Sequence, residues 1–237
     1  MDKRITQFRN VLLLLLLFTV SVSEVKSQDR IEASVDADIV SAYIWRGQDL
    51  GKVSIQPCVG LSYKGFSLSA WGTLGFSESD AKEIDITFGY SNGGFSVDIT
   101  DYWTAGEYGY FHYASENTSH TFEANVGYDF GPVALNWSTN FAGYVGYNDK
   151  GKKAYASYLS VSVPFTLGGI DWSAEVGATP WGNDYYNDGG KGFQVSSVSI
   201  SAYKDIKITD SFSLPLFGQI IWNPYTEGAW FVAGLSF

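Results

Sequence analysis

From Gln28 onward, apolar and polar residues alternate in short runs, and a period of two predicts strands rather than helices. The final stretch shows it plainly. Ala229, Phe231, Ala233, Leu235 and Phe237 share one face, while Trp230, Val232, Gly234 and Ser236 share the other. The first strand offers Ile31, Val35, Ile39, Tyr43 and Trp45 on its apolar face, and the second Ile55, Val59, Leu61 and Tyr63. The same parity recurs along the chain: Phe66, Leu68, Leu74; Ile84, Ile86, Phe88, Tyr90; Phe95, Val97, Ile99, Trp103. It continues with Phe122, Val126, Tyr128; Leu135, Trp137, Phe141; Leu159, Val161, Val163, Phe165; and Ile170, Trp172, Val176. Phe212, Leu214, Leu216, Ile220 and Trp222 precede the last strand. Val195 and Val198 differ in parity, which predicts a bulge near Ser196 and Ser197, with Ala202, Ile206 and Ile208 carrying that strand onward.

The connections come in two kinds. Lys64-Gly65, Asn92-Gly93-Gly94, Gly131-Pro132 and Leu167-Gly168-Gly169 are tight hairpin signals, and a less sharp one falls around Thr209-Asp210-Ser211. Longer polar and aromatic connections run near 46–53, 77–82, 104–119, 143–153, 179–192 and 223–228. Short and long connections alternate, and twelve strands lie between them. This predicts an all-β fold: an up-and-down antiparallel transmembrane β-barrel, with both ends of the barrel chain on the short-turn side.

Aromatics decide between a membrane barrel and a soluble sandwich. Tyr63, Phe66, Tyr90, Phe95, Phe165 and Phe237 flank short turns or the last strand's end, while Trp45, Trp103 and Trp222 sit near long loops. Two rings of amphipathic aromatics bounding an apolar band suit the two membrane–water interfaces, and these nine residues are the expected girdle. A sandwich core would instead bury its aromatics in mid-strand. A closed barrel also leaves no unpaired sheet edge in lipid.

The beginning of the chain sets the compartment. Lys3, Arg4 and Arg9 precede the apolar run "VLLLLLLFTV" at 11–20, and small residues precede Gln28. Residues 1–27 therefore read as a secretory signal peptide, and 28–237 as the barrel domain of an exported outer-membrane protein. Without the signal the formal charge is −12, against −10 for the whole chain. Such a balance excludes nucleic acid as a partner. The one cysteine, Cys58, lies at an alternating strand position and reads as a buried inert thiol.

At "SAYIWRG" (41–47) and "NPYTEGAWFVAGLSF" (223–237) the chain resembles the TorF family of porins. Ser41, Tyr43, Arg46 and Gly47 match that family's early S-x-Y-x-x-R-G stretch. The resemblance implies a small outer-membrane barrel and supplies neither a substrate nor catalytic residues.

The opposite parity points into the lumen and carries the chemistry. Asp36, Asp38, Asp85, Glu123 and Glu175 are the expected pore-lining acids, with Arg46 at the upper end of the first strand as almost the only base. So many carboxylates would be too costly to bury dry, so a wetted interior of negative potential follows. Asp98, Asp129 and Asp171 lie close to short turns and suit bulk water. Trp71, Tyr102, Tyr158, Phe217 and Trp230 share the inward parity, which leaves a filled lumen open as an alternative.

The loops "WTAGEYGYFHY" (103–113) and "PWGNDYYNDGG" (180–190) could stack on a sugar, but packing over the barrel mouth is the plainer expectation. Asn183, Asp184, Asn187 and Asp188 follow no calcium-loop spacing. His112 and His120 are expected on loop surfaces, and Ser119-His120 is a neighbour pair without a nucleophile elbow. The expectation is thus a passive pore for small neutral or cationic solutes, not an enzyme, with no cofactor and no metal. The alternative is a non-conducting barrel whose aromatic outer loops bind a ligand, partner or surface. Outer-membrane lipid and lipopolysaccharide, and the barrel-assembly machinery during biogenesis, are the expected partners.

Overall fold

The computed structural model describes residues 30–77, 80–186, 190–210 and 213–237. The segment expected to be a signal peptide, together with Asn187, Asp188, Ser211 and Phe212, lies outside the described residues. The chain forms a closed antiparallel barrel whose twelve wall strands follow the order β1-β14-β13-β12-β11-β10-β9-β8-β7-β6-β5-β4. These are β1 (Glu32–Val40), β4 (Ser54–Tyr63), β5 (Phe66–Gly75), β6 (Lys82–Asn92), β7 (Phe95–Thr104) and β8 (His120–Asp129). They continue with β9 (Ala134–Gly143), β10 (Ser157–Leu167), β11 (Ile170–Thr179), β12 (Gln194–Lys207), β13 (Ser213–Asn223) and β14 (Gly228–Ser236). Two short strands, β2 (Tyr43–Trp45) and β3 (Gln48–Gly51), pair only with each other.

Burial is inverted relative to a soluble protein. Val35, Leu68, Ile99, Val126, Ile220 and Phe231 are 47–74% exposed on the outside, while Glu123, Ser138 and Asn140 are 0% exposed inside. A wall with apolar exterior and polar interior is stable where the outside solvent is hydrocarbon. The short turns do the local work. Tyr63 pairs with Phe66 around Lys64 and Gly65, whose φ values of 49° and 87° make the mirror-image turn that matches strand twist.

The nine expected girdle residues divide into eight on the outer face and one that is not. Tyr63, Phe66, Tyr90, Phe95, Phe165 and Phe237 lie at the short-turn end of the wall, and Trp103 and Trp222 at the long-loop end. Phe66 packs at 4.8 Å from Tyr90, continuing the outer ladder across strands. Trp45 is the correction: it points into the barrel, as does Tyr43. The wall strand ends at Val40, because Ser41 donates its N–H to the Ala233 carbonyl (2.8 Å) and accepts the Ala233 N–H on its own hydroxyl (2.9 Å). That cap lets the next residues leave the wall. Arg46 is accordingly at the tip of a separate hairpin rather than at the top of the first wall strand.

The irregularity expected in β12 is present. Gly177 pairs with Ser197 and Ala178 with Val195, so Ser196 is the extra residue. A second irregularity sits between Phe122 and Glu123, opposite Ala142 and Asn140. Both face the hairpin tip.

A candidate functional site in the barrel lumen

The β2–β3 hairpin folds into the lumen at the long-loop end. Arg46 and Gly47 form its two-residue turn, with φ of 50° and 79° and Trp45 opposite Gln48. Asn223 donates its amide to the Gly47 carbonyl at 2.9 Å. Tyr43 donates to a Glu83 carboxylate oxygen at 2.9 Å and packs 5.5 Å from the Trp71 ring. Further out, Ala81 N–H bonds the Leu50 carbonyl (3.0 Å) and Lys52 N–H bonds Asp80 (3.2 Å), tying the hairpin base to the next connection.

Arg46 makes the central contact. Its guanidinium meets both Glu123 oxygens, at 2.5 and 3.0 Å, and donates to the Ser138 hydroxyl at 2.9 Å and to the Tyr186 hydroxyl. Tyr186 and Tyr102 each donate to Glu123 at 3.0 Å. The guanidinium carbon also lies 4.4 Å from the Trp45 ring centroid and 4.7 Å from that of Tyr158. Glu123 is thus saturated by a two-pronged ion pair and two phenols, which is what a carboxylate at 0% exposure needs. The contact joins the hairpin to β7, β8, β9 and β10, and to the β11–β12 connection.

That connection supplies a lid. Asn183, fully buried, accepts the N–H groups of Tyr185 (3.1 Å) and Tyr186 (2.9 Å) and donates to Thr179 and to the Trp181 carbonyl. The resulting turn aims Tyr185 and Tyr186 at Trp45, with ring centroids 6.2 and 5.8 Å away. Asp184 fastens the turn to Tyr147 N–H at 2.7 Å. Beside it, burial and then a hydrogen bond to Asp184 push the Tyr144 phenol up to about 12, keeping it a neutral donor. Asn183 and Asp184 therefore shape a turn, and Tyr185 and Tyr186 pack over the barrel mouth.

Below the Arg46 layer lies a cavity of about 750 Å³, reaching from Tyr43 and Arg46 to Gly65, Gly94 and Asp129 at the short-turn end. Its wall carries Glu32, Asp38, Asp85, Asp98, Asp129 and Glu175, against Arg46 as the single base among the described residues lining it. Of the sequence-derived acids, Asp38, Asp85 and Glu175 line this space. Asp36 and Glu123 face inward without lining it, Glu123 being sealed behind Arg46. Asp98 and Asp129, assigned from sequence to bulk water, are buried and line the cavity, because strand pairing carries both side chains inside the wall. Asp36 Oδ2, Asp85 Oδ1 and Ser173 Oγ are buried without a hydrogen-bond partner among the described residues. Trp71, Tyr158 and Phe217 fill part of the lumen.

His120 corrects another expectation. It is 1% exposed, not on a loop surface, and opens β8 on the outer face of the wall. Its Nδ1 meets Asp101 at 2.8 Å, its Nε2 meets the Tyr110 carbonyl at 2.7 Å, and Tyr113 stacks on it at 4.0 Å. The 104–119 connection therefore folds down over this ring. Neither contact is a hydroxyl nucleophile. Replacing His120 by Ala removes two hydrogen bonds worth roughly 1 kcal/mol each. Amide hydrogen exchange across 105–119 is expected to rise by about tenfold or more, with the wall strands unchanged. Unchanged exchange in the loop would show that the stacked aromatics alone hold it.

No protein-family model and no curated protein sequence matches the chain. The TorF resemblance therefore rests on its two motif stretches alone. Among solved structures, the chain is similar to one titled "KdgM porin", at 10% identity, covering 87% of this chain and 98% of that one, with a TM-score of 0.46.

Proposed function

We propose that this protein is an outer-membrane, porin-like channel for passive diffusion of small neutral or cationic solutes. The observation that carries the reading is the cavity wall: six carboxylates and one guanidinium inside a closed barrel with an apolar exterior. In a low-dielectric wall, like charges focus the field and raise the local cation concentration. The eight outward aromatics at the two rims fit the interfaces of a bilayer, with lipid and lipopolysaccharide as the surrounding partners. Mid-wall acids such as Asp38, Asp85 and Glu175 would set the selectivity.

The experiment is a reversal potential across a tenfold salt gradient in a planar bilayer. The wild type should prefer cations. Asp85→Asn with Glu175→Gln keeps the shape while removing two of the six carboxyl groups, and should lower the cation-to-anion permeability ratio. The preference should shrink in concentrated salt, where the Debye length is about 3 Å at 1 M. An anion-preferring wild type would overturn the assignment. The second reading, a non-conducting barrel with binding loops, is favoured by one observation: the hairpin, Tyr185 and Tyr186 occupy the long-loop end of the lumen. Silence of the barrel even without that hairpin would select it.

A further inference from the structure

We infer that the β2–β3 hairpin is a removable plug, locked in the lumen by Arg46 on Glu123, and that this lock sets both how often the barrel conducts and for which charge. The inference rests on the channel reading above.

The topology makes the hairpin separable. β1 pairs with β4 and β14, and neither β2 nor β3 contributes to any wall ladder. Ser41 and Lys52 bracket it, so it can swing out without breaking a wall strand. Its polar anchors are the Arg46–Glu123 pair and the Asn223–Gly47 bond at the tip and the Tyr43–Glu83 bond at the base, beside apolar packing of Ile44 on Phe217, Ile221 and Val232 and of Trp45 on Tyr185 and Tyr186. Arg46 occupies a left-handed conformation (φ 50°), a position that favours Gly, Asn or Asp, so the turn holds a strained residue whose side chain is the lock.

Both positions of the hairpin satisfy the charges. With the hairpin in, Glu123 is buried and neutralised by Arg46. With it out, Arg46 leaves and Glu123 faces the wetted lumen as one more carboxylate. The out state is therefore wider and more negative at once. Conductance and cation preference should rise together, which a merely structural ion pair would not produce.

The test compares single-channel currents of five proteins: wild type, Arg46→Gln, Glu123→Gln, the Arg46→Gln/Glu123→Gln double variant, and a barrel with residues 43–51 replaced by a short Gly-Ser link. Each is first shown to be heat-modifiable. The link variant should conduct several-fold more than wild type. The single variants should raise open probability toward it, with Arg46→Gln the more cation-selective because it leaves Glu123 charged. If a single variant fails to assemble because it leaves one buried charge unpaired, the neutral double variant still reports on the lock. A link variant that conducts no more than wild type overturns the plug, and if neither conducts, the channel reading itself fails. A conducting link variant beside lock variants that match wild type keeps the channel and overturns the lock.

Discussion

Gly47→Val is expected to expel the hairpin from the lumen while the barrel stays closed, and to turn the bond after Arg46 from trypsin-resistant to readily cut. Two independent costs meet at this residue. Its φ of 79° lies in the region where a side chain costs about 1–2 kcal/mol, and more for a β-branched one. A Cβ there would fall on the carbonyl oxygen of Ser196 and within 3.2 Å of the Asn223 amide. The Ser196 carbonyl belongs to the β12 bulge, whose flanking residues are fixed by pairing with Gly177 and Ala178, so it has little room to retreat. Displacing the tip also pulls Arg46 from Glu123, which opposes expulsion by up to about 3–5 kcal/mol and by less once water reaches the freed carboxylate. The tip leaves all the same because a side chain cannot share the space of the Ser196 carbonyl without breaking the bulge pairing that fixes it. Gly93→Ala is the control. That turn glycine has a φ of 58°, with nothing within 4 Å of where a Cβ would stand, so it should assemble with only a mild loss. Continued resistance at Arg46 in a heat-modifiable Gly47→Val barrel would mean that the close approach to Ser196 does not seat the hairpin.

The wall was legible because each strand writes its own face. Alternation in β5 or β13 needs no distant partner to be read, and the Lys64-Gly65 turn announces itself in two residues. Even the Ser196 bulge showed, since a single extra residue shifts the parity of Val195 against Val198. The hairpin was not legible for the same reason. Tyr43 and Trp45 continue the parity of Val35 and Ile39, and a two-residue period reads alike whether a strand lies in the wall or inside it. What diverts the chain is Ser41 capping Ala233, 192 residues away. The partners that hold Arg46 are as remote, Glu123 at 77 residues and Tyr186 at 140. A local signal existed only in hindsight of chemistry: a lone arginine beside glycine among inward acids requires a carboxylate. His120 likewise looked like a loop residue, because the Asp101 beneath it and the Tyr110 carbonyl above it arrive from two different segments.

Deleting Phe237 is expected to remove most of the heat-modifiable protein from the membrane fraction, a larger loss than Ser236→Ala or Phe237→Ala causes. The reason is the shortness of the closing seam. β1 pairs with β4 through nine residues, Glu32 to Val40, but with β14 through Asp38, Ile39 and Val40 alone. Phe237 extends that seam by two backbone bonds, its N–H to the Ala37 carbonyl (3.0 Å) and its carbonyl from the Ala37 N–H (3.2 Å). Removing the residue leaves both Ala37 groups unpaired at the junction where the barrel must close, and in hydrocarbon each unsatisfied group costs several kcal/mol. The deletion also takes away an outward aromatic, 47% exposed at the rim. Phe237→Ala loses only the ring and keeps the seam. Ser236→Ala loses the bond from its hydroxyl to Asp38 (2.6 Å), worth about 1.5–3 kcal/mol for a charged acceptor, and keeps every backbone pair. The expected order of assembly is wild type, then the two alanine variants, then the deletion far below. If Phe237→Ala falls as far as the deletion, the ring rather than the seam carries the effect, and the closure argument is wrong.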